Sequence, residues 1–153
     1  MPPQLHESDA MTVASKRPEF RNINAFSDLP SYRLPVAGLV SILHRISGVL
    51  LFVLLPFIMW LFDKSLSSEI SFARFRSAFT TGLWIFPALI VKLVVLALIW
   101  AYLQHLFAGL RHLWMDLSHA AVSKEFGAKS AQAVLAFSLL LTVVLGAKLF
   151  GLY

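Results

Sequence analysis

Three long apolar runs limit this chain to structures that a lipid bilayer can hold. They extend from about residue 35 to residue 62, from 83 to 113 and from 131 to 152. A helix of about 20 apolar residues crosses the hydrocarbon core of a bilayer, and each run is at least that long. Because 58% of the residues are hydrophobic and only 14% are charged, a soluble domain of this size would lack the polar side chains to cover its surface. The sequence therefore predicts an all-α membrane protein with three transmembrane helices.

The residues before the first run form a polar arm, residues 1–34. Residues 1–15 are predicted to be disordered because they are polar and show no hydrophobic periodicity. The arm holds no apolar stretch of the length that a signal peptide requires, so we expect no cleavage, whether translation starts at Met1 or at Met11. The three-helix transmembrane domain then covers residues 35–153.

Proline, glycine and polar residues predict where the helices begin, bend and end. Pro35 and Pro87 lie at or near the starts of the first and second helices, where the missing N–H of proline costs nothing. Pro56 lies inside the first run and predicts a kink there. The polar residues 116–129 predict a loop between the second and third helices, with Gly127 at a turn.

The distribution of basic residues predicts the orientation of the chain. Cytoplasmic segments carry an excess of Lys and Arg, and this excess lies in the arm and after the second run, so we expect a cytoplasmic N-terminus. The net charge of +5 comes from basic residues at helix ends and in loops, where they can contact anionic lipid. It therefore does not indicate nucleic-acid binding. The residues expected on the cytoplasmic side are Lys16, Arg17, Arg21, Arg33, Arg45, Arg111, Lys124 and Lys129; those on the far side are Lys64, Arg74, Arg76 and Lys148.

A first polar face lies near the start of the first span. Ser41, His44, Arg45 and Gly48 fall at positions i, i+3, i+4 and i+7, which places them on one side of a helix. An arginine whose charged end reaches the membrane surface would explain Arg45 alone. It would not explain a serine and a histidine on the same face, so this face is a candidate functional site.

A second polar face lies toward the end of the second span. His105, Gly109, His112 and Asp116 recur at i, i+4, i+7 and i+11. An imidazole inside a membrane needs a partner, and haem iron is one that it commonly ligates. A glycine one turn away leaves room for a flat macrocycle, and Arg111 and His112 could donate to haem propionates. The alternatives are a histidine bonded to a neighbouring helix, ordinary small-residue packing and positive-inside anchoring.

Together, the two faces resemble the signatures of the cytochrome b556 subunits of succinate dehydrogenase, which are membrane anchors of respiratory complex II. Residues 31–35, SYRLP, and residues 41–48, SILHRISG, resemble the first signature. Residues 105–116, HLFAGLRHLWMD, resemble the second, and Arg17-Pro18 matches the start of the family's arm. The resemblance covers about residues 17–153 and keeps the order of the three spans.

This resemblance implies a set of roles. His105 would be one axial ligand of a haem b, and a partner anchor subunit would supply the second, so that the three helices form half of a haem-binding bundle. Ser41 and Arg45 would line the ubiquinone site, with Asp116 as a weaker candidate for supporting it. His44 would lie near the haem propionates. The iron–sulfur and flavoprotein subunits would be further partners, in a bacterial cytoplasmic (inner) membrane.

The chain by itself lacks the means to oxidise succinate. It has no cysteine to ligate iron–sulfur clusters and no glycine-rich fingerprint for a flavin dinucleotide. Its expected share is to bind haem and ubiquinone, to carry electrons from the iron–sulfur subunit to quinone in the respiratory chain and tricarboxylic acid cycle, and to anchor the soluble subunits. A fumarate reductase-type anchor and a haem-free structural anchor are the alternatives. A channel is disfavoured because the polar residues cluster at one side of the membrane.

Overall fold

The computed structural model describes residues 24, 28, 34–118 and 123–153. The chain divides into two units, Met1–Arg33 and Leu34–Tyr153. In the first unit, the backbone N–H of Asn24 donates to the carboxylate of Asp28 over 2.9 Å. Most of the predicted arm, including Arg17-Pro18 and residues 31–33, lies outside the described residues. The disorder predicted for residues 1–15 concerns the same undescribed part of the chain.

The described residues of the second unit form helices and one short hairpin. Within the described residues, three of its helices, α1, α4 and α5, are long and apolar enough to cross a membrane. This finding confirms the prediction of an all-α membrane protein with three transmembrane helices. The elements in chain order are α1 (Val36–Val53), α2 (Leu55–Leu66), α3 (Glu69–Thr80), β1 (Gly82–Leu83), β2 (Phe86–Pro87), α4 (Ala88–Leu117) and α5 (Lys124–Leu149).

The first apolar run forms two helices instead of one continuous span. α1 ends at Val53, and Leu54, with φ −89° and ψ 4°, separates it from α2. Pro56 lies in the first turn of α2, where its missing N–H cannot continue the hydrogen bonds of α1. The bend predicted from Pro56 is therefore present as a break two residues before the proline.

The segment between α2 and α4 has more structure than the sequence patterns predicted. α3 starts at a capping box, in which the Oγ of Ser68 accepts from the N–H of Ser71 over 3.1 Å and the Oγ of Ser71 accepts from the N–H of Ser68 over 2.8 Å. β1 and β2 then pair as an antiparallel hairpin, and α4 starts only after Pro87. The elements α2, α3, β1 and β2 are called the hairpin end below.

The connection between α4 and α5 is shorter than predicted. α4 continues to Leu117, and α5 already begins at Lys124, after Ser123, whose Oγ accepts from the N–H of Phe126 over 3.3 Å. The turn predicted at Gly127 is wrong, because Gly127 is a buried residue of α5. Serine is a favoured N-cap residue, and it starts the helix four positions before this glycine.

Small residues form the core where α1, α4 and α5 meet. The buried cluster consists of Val40 from α1, Ala108 from α4, and Ala131 and Val134 from α5. The two alanines let the helix backbones approach closely, and the resulting van der Waals packing is one of the forces that associate helices in a membrane. Deeper in the bundle, the Oγ of the buried Ser138 donates to the Oε1 of the buried Gln104 over 2.8 Å, and this bond links α4 to α5.

Candidate functional site at the histidine cluster

Two helices bring three histidines together. His44 from α1 stacks on His105 from α4 with ring centroids 4.2 Å apart and planes 25° from parallel. His112, two turns after His105 on α4, lies 5.2 Å from His44 between centroids. All three are half-buried, and they are called the histidine cluster below. The two polar faces predicted from the sequence therefore meet in one place.

The ring of His105 is oriented by the backbone of α1. Its Nδ1 lies 3.2 Å from the carbonyl oxygen of His44 and 3.4 Å from the Oγ of Ser47. Because a carbonyl oxygen can only accept, we assign the proton of His105 to Nδ1. The Nε2 atom then carries a free lone pair. Metal-bound histidines in proteins usually have this arrangement, with the second ring nitrogen donating to a carbonyl or carboxylate.

Ser47 is a site residue that the sequence patterns did not single out. It is fully buried, and its hydroxyl donates to the carbonyl oxygen of His44 over 2.8 Å. The same carbonyl thus receives both Ser47 and His105. Ser47 belongs to the SILHRISG stretch, but its burial against α4 becomes visible only when the two helices are packed together.

Two glycines make room for the cluster, and they do so unequally. A Cβ atom on Gly48 would lie 3.0 Å from Cε1 and 3.3 Å from Nδ1 of His105, which is tighter than ordinary packing. A Cβ atom on Gly109 would lie 3.7 Å from Nε2 of His44, an ordinary van der Waals distance. The close packing of His105 on α1 therefore requires a glycine at position 48. At position 109 the space beside His44 would also admit a methyl group.

The cluster fits one axial ligand of a haem but not two. The lone pair of an imidazole nitrogen lies in the plane of its ring, so the face-to-face rings of His44 and His105 direct their lone pairs sideways. They cannot bind one iron from opposite sides.

Among the described residues, histidine, aspartate and glutamate side chains form no group of three that could hold a bare metal ion.

The remaining predicted residues differ in how closely they join the cluster. Ser41 is half-buried one turn before His44, while Arg45 and Asp116 are exposed. No ion pair joins Arg45 or Asp116 to another residue in the described part of the chain. Their charged groups are thus left facing outward from the helices.

Arg111 lies on a different side of α4 from the cluster. Only 8% of it is exposed, its Nε donates to the Oγ of Ser130 over 2.9 Å, and its guanidinium also donates to the carbonyl oxygen of Gly127 over 3.2 Å. Consecutive helical residues are about 100° apart, so Arg111 faces α5 while His112 faces α1. In this arrangement Arg111 joins α4 to α5, and the predicted contact with a haem propionate gains no support.

The chain matches the family model of the succinate dehydrogenase/fumarate reductase transmembrane subunit over residues 19–145. It belongs to this family. The match covers α1, α4 and most of α5, and it includes every residue of the histidine cluster. The resemblance found in the two polar faces is thereby confirmed.

The chain is also similar to individual proteins that are named as succinate dehydrogenase cytochrome b556 subunits. A succinate dehydrogenase cytochrome b556 subunit of Coxiella burnetii is 36% identical over 119 residues, which cover 78% of this chain and 90% of the relative. The subunit of the same name from Paracoccus denitrificans is 33% identical over 116 residues, covering 76% of this chain and 83% of the relative. A third, from Rickettsia felis, is 29% identical over 119 residues, 76% and 85% of the two chains.

Proposed function

We propose that this chain is the haem b- and ubiquinone-binding anchor subunit of a succinate:quinone oxidoreductase, with His105 as one axial ligand of the haem. The observation that carries the proposal is the placement of Nδ1 of His105 on the carbonyl oxygen of His44, 3.2 Å away. This contact fixes the ring and leaves Nε2 free. The names of the relatives, cytochrome b556 subunits, support a haem of the b type.

The second axial ligand would come from a partner anchor subunit. The stacked geometry of His44 and His105 supports this, because neither ring can face the other across an iron. His44 and His112 would instead lie beside the macrocycle, where their N–H groups can donate to carboxylate oxygens. A haem bound here would supply one-electron redox chemistry, while the chain's own residues hold and orient it.

Ser41 and Arg45 are proposed to bind the quinone. They lie one helical turn apart on α1, and Arg45 is exposed without an ion-pair partner among the described residues. Reduction of a quinone adds two electrons and two protons, and negative charge develops on its carbonyl oxygen. A serine hydroxyl and a guanidinium that donate to this oxygen stabilise that charge. Asp116, exposed near the end of α4, would support proton supply at the same side.

The proposal also includes the setting of the chain. The soluble flavoprotein and iron–sulfur subunits would oxidise succinate and deliver electrons to this subunit, which anchors them to a bacterial cytoplasmic membrane. The N-terminus would face the cytoplasm, as the basic residues predict. A fumarate reductase-type anchor, which runs the reaction toward succinate, is the second candidate, because the matching family model covers both enzymes.

The test is a reduced-minus-oxidised absorption spectrum of the purified complex. We expect a b-type α-band that His105→Leu removes, because Leu offers no lone pair to iron. His112→Leu is the matched control: it deletes an imidazole two turns away on the same helix that is proposed to contact only a haem carboxylate and not the iron, so the α-band should persist even if haem content falls. Membrane levels of each variant and co-purification of the other subunits report assembly.

Two outcomes would overturn the haem assignment. One is a band that persists at full intensity in assembled His105→Leu. The other is a band lost with His112→Leu and kept with His105→Leu. Absence of any haem from the wild-type complex would favour the haem-free structural anchor.

A further inference from the structure

A cavity of about 850 Å³ lies at the hairpin end, between α2, α3 and the hairpin. It is unrelated to the histidine cluster, since none of the cluster residues lines it. Its wall combines three aromatic side chains with three polar ones. The residues that matter for its chemistry are Phe57, Trp60, Trp84, Lys64, Arg74 and Ser77.

The polar side of the cavity carries positive charge. Arg74 is exposed, and its side chain makes no hydrogen bond or ion pair within the described residues. Lys64 pairs with Asp63 over 2.6 Å, and the hydrogen bonds from Lys64 and Ser67 lower the pKa of the Asp63 carboxyl. Because Asp63 stays ionised at neutral pH, it offsets the charge of Lys64, and Arg74 supplies the uncompensated charge of the pocket.

The apolar side of the cavity is built from two half-buried aromatic rings, those of Phe57 and Trp60, and from the exposed ring of Trp84. The rings of Phe57 and Trp60 stack with centroids 6.2 Å apart. Trp84 is 96% exposed and has a φ of 53°, a backbone conformation that side chains with a Cβ rarely adopt. The hairpin thus holds a large indole ring away from the protein. Such a ring is favourable at a membrane interface, where tryptophan is enriched.

The position of the cavity along the chain places it at the boundary between lipid and water. α2 continues the first apolar run up to Phe62, and residues 63–69, which are all charged or hydroxyl residues except Leu66, follow directly. α3, which supplies Arg74, is short and carries charges among its aromatic residues. A molecule bound here would meet cations at its polar end and aromatic rings at its apolar end.

We propose that this cavity binds an anionic glycerophospholipid, with the headgroup phosphate between Arg74 and Lys64 and the acyl chains along Phe57, Trp60 and Trp84. The charge selects an anionic headgroup over a zwitterionic one. The three aromatic rings distinguish a lipid from free phosphate, which would leave them exposed to water. A guanidinium can bind two phosphate oxygens at once, which favours Arg74 as the main contact.

The test measures phospholipid retained by the protein purified together with its accompanying subunits. The sample is exchanged into mixed micelles of phosphatidylglycerol and phosphatidylcholine, passed through gel filtration and analysed by native mass spectrometry. We expect wild type to retain phosphatidylglycerol in preference to phosphatidylcholine, and Arg74→Gln to lower the retained phosphatidylglycerol by about fivefold. Arg76→Gln, which removes the same charge from the same helix outside the cavity lining, should change it by less than twofold.

A second variant separates the lipid from a free anion. Trp84→Ala keeps the charges and removes an acyl-chain contact, so it should also lower phosphatidylglycerol retention. Circular dichroism checks that each variant keeps its helices. Equal retention of the two lipids, an equal loss with Arg76→Gln, or displacement of the lipid by millimolar inorganic phosphate would each overturn the proposal. The haem spectrum is read on the same samples and should not change.

Discussion

The histidine cluster and the hairpin end place polar groups in a membrane protein in opposite ways. At the cluster, long helices supply the partners, so that the imidazole of His105 rests on a backbone carbonyl of α1 and on the buried Ser47. At the hairpin end, short elements leave Arg74 and Trp84 exposed at the surface. The first arrangement holds the imidazole ring in one orientation. The second leaves groups available to the lipid.

The largest effect is expected when an exposed cation beside the histidine cluster is removed, and the comparison is with removal of an exposed cation at the hairpin end. Arg45→Ala should lower succinate–quinone reductase activity by about 100-fold, because the proposed donor to the developing charge on the quinone is lost. Succinate oxidation with an artificial dye acceptor should stay near the wild-type rate. Arg76→Ala, at the hairpin end, should leave both activities unchanged.

The two assays make this comparison decisive. Equal losses of quinone and dye activity in Arg45→Ala would point to faulty assembly instead of a quinone contact. If Arg76→Ala lowered quinone reductase activity by a similar factor, the activity would depend on the total positive charge of the chain. It would then not depend on a cation beside the histidine cluster.

The second effect concerns the two glycines of the cluster. Gly48→Ala would place a methyl group 3.0 Å from the ring of His105, and such overpacking costs about 1–3 kcal/mol of folding stability. We expect a lower haem content and a shifted α-band, measured by pyridine haemochrome and by the difference spectrum. Gly109→Ala, with 3.7 Å to the nearest ring atom, should change both much less. If Gly109→Ala proved the more damaging variant, the tight contact on His105 would not be the limiting one.

The smallest effect is expected from a glycine at the hairpin end. Gly82 has a φ of 111°, and a Cβ there would overlap the carbonyl oxygen of Phe86. Gly82→Ala should therefore destabilise the hairpin by about 1–2 kcal/mol. The expected result is a lower thermal midpoint with the α-band intact, measured by circular dichroism and absorbance on one sample. A loss of the band in a variant that stays folded would mean that the two ends are coupled.

Much of the transmembrane architecture was predictable because it depends on local properties. Hydrophobic length alone predicts that α1, α4 and α5 span a membrane, and helical periodicity alone predicts that His44 and His105 each lie on a polar helix face. α3 was missed because its apolar and charged residues alternate without a long apolar run. The turn at Gly127 was wrong because serine capping at residue 123 outweighs the turn preference of a glycine.

The sequence by itself therefore determined three spans, two polar faces and His105 as the ligand to test. Only the packing of the helices decided which atoms touch. It placed the Nδ1 of His105 on the carbonyl of His44, buried Ser47 beside it, and turned Arg111 toward α5. The reason is physical: the apolar stripe of a helix follows from its own residues, whereas the rotation and register of one helix against another follow from how small residues on both sides fit.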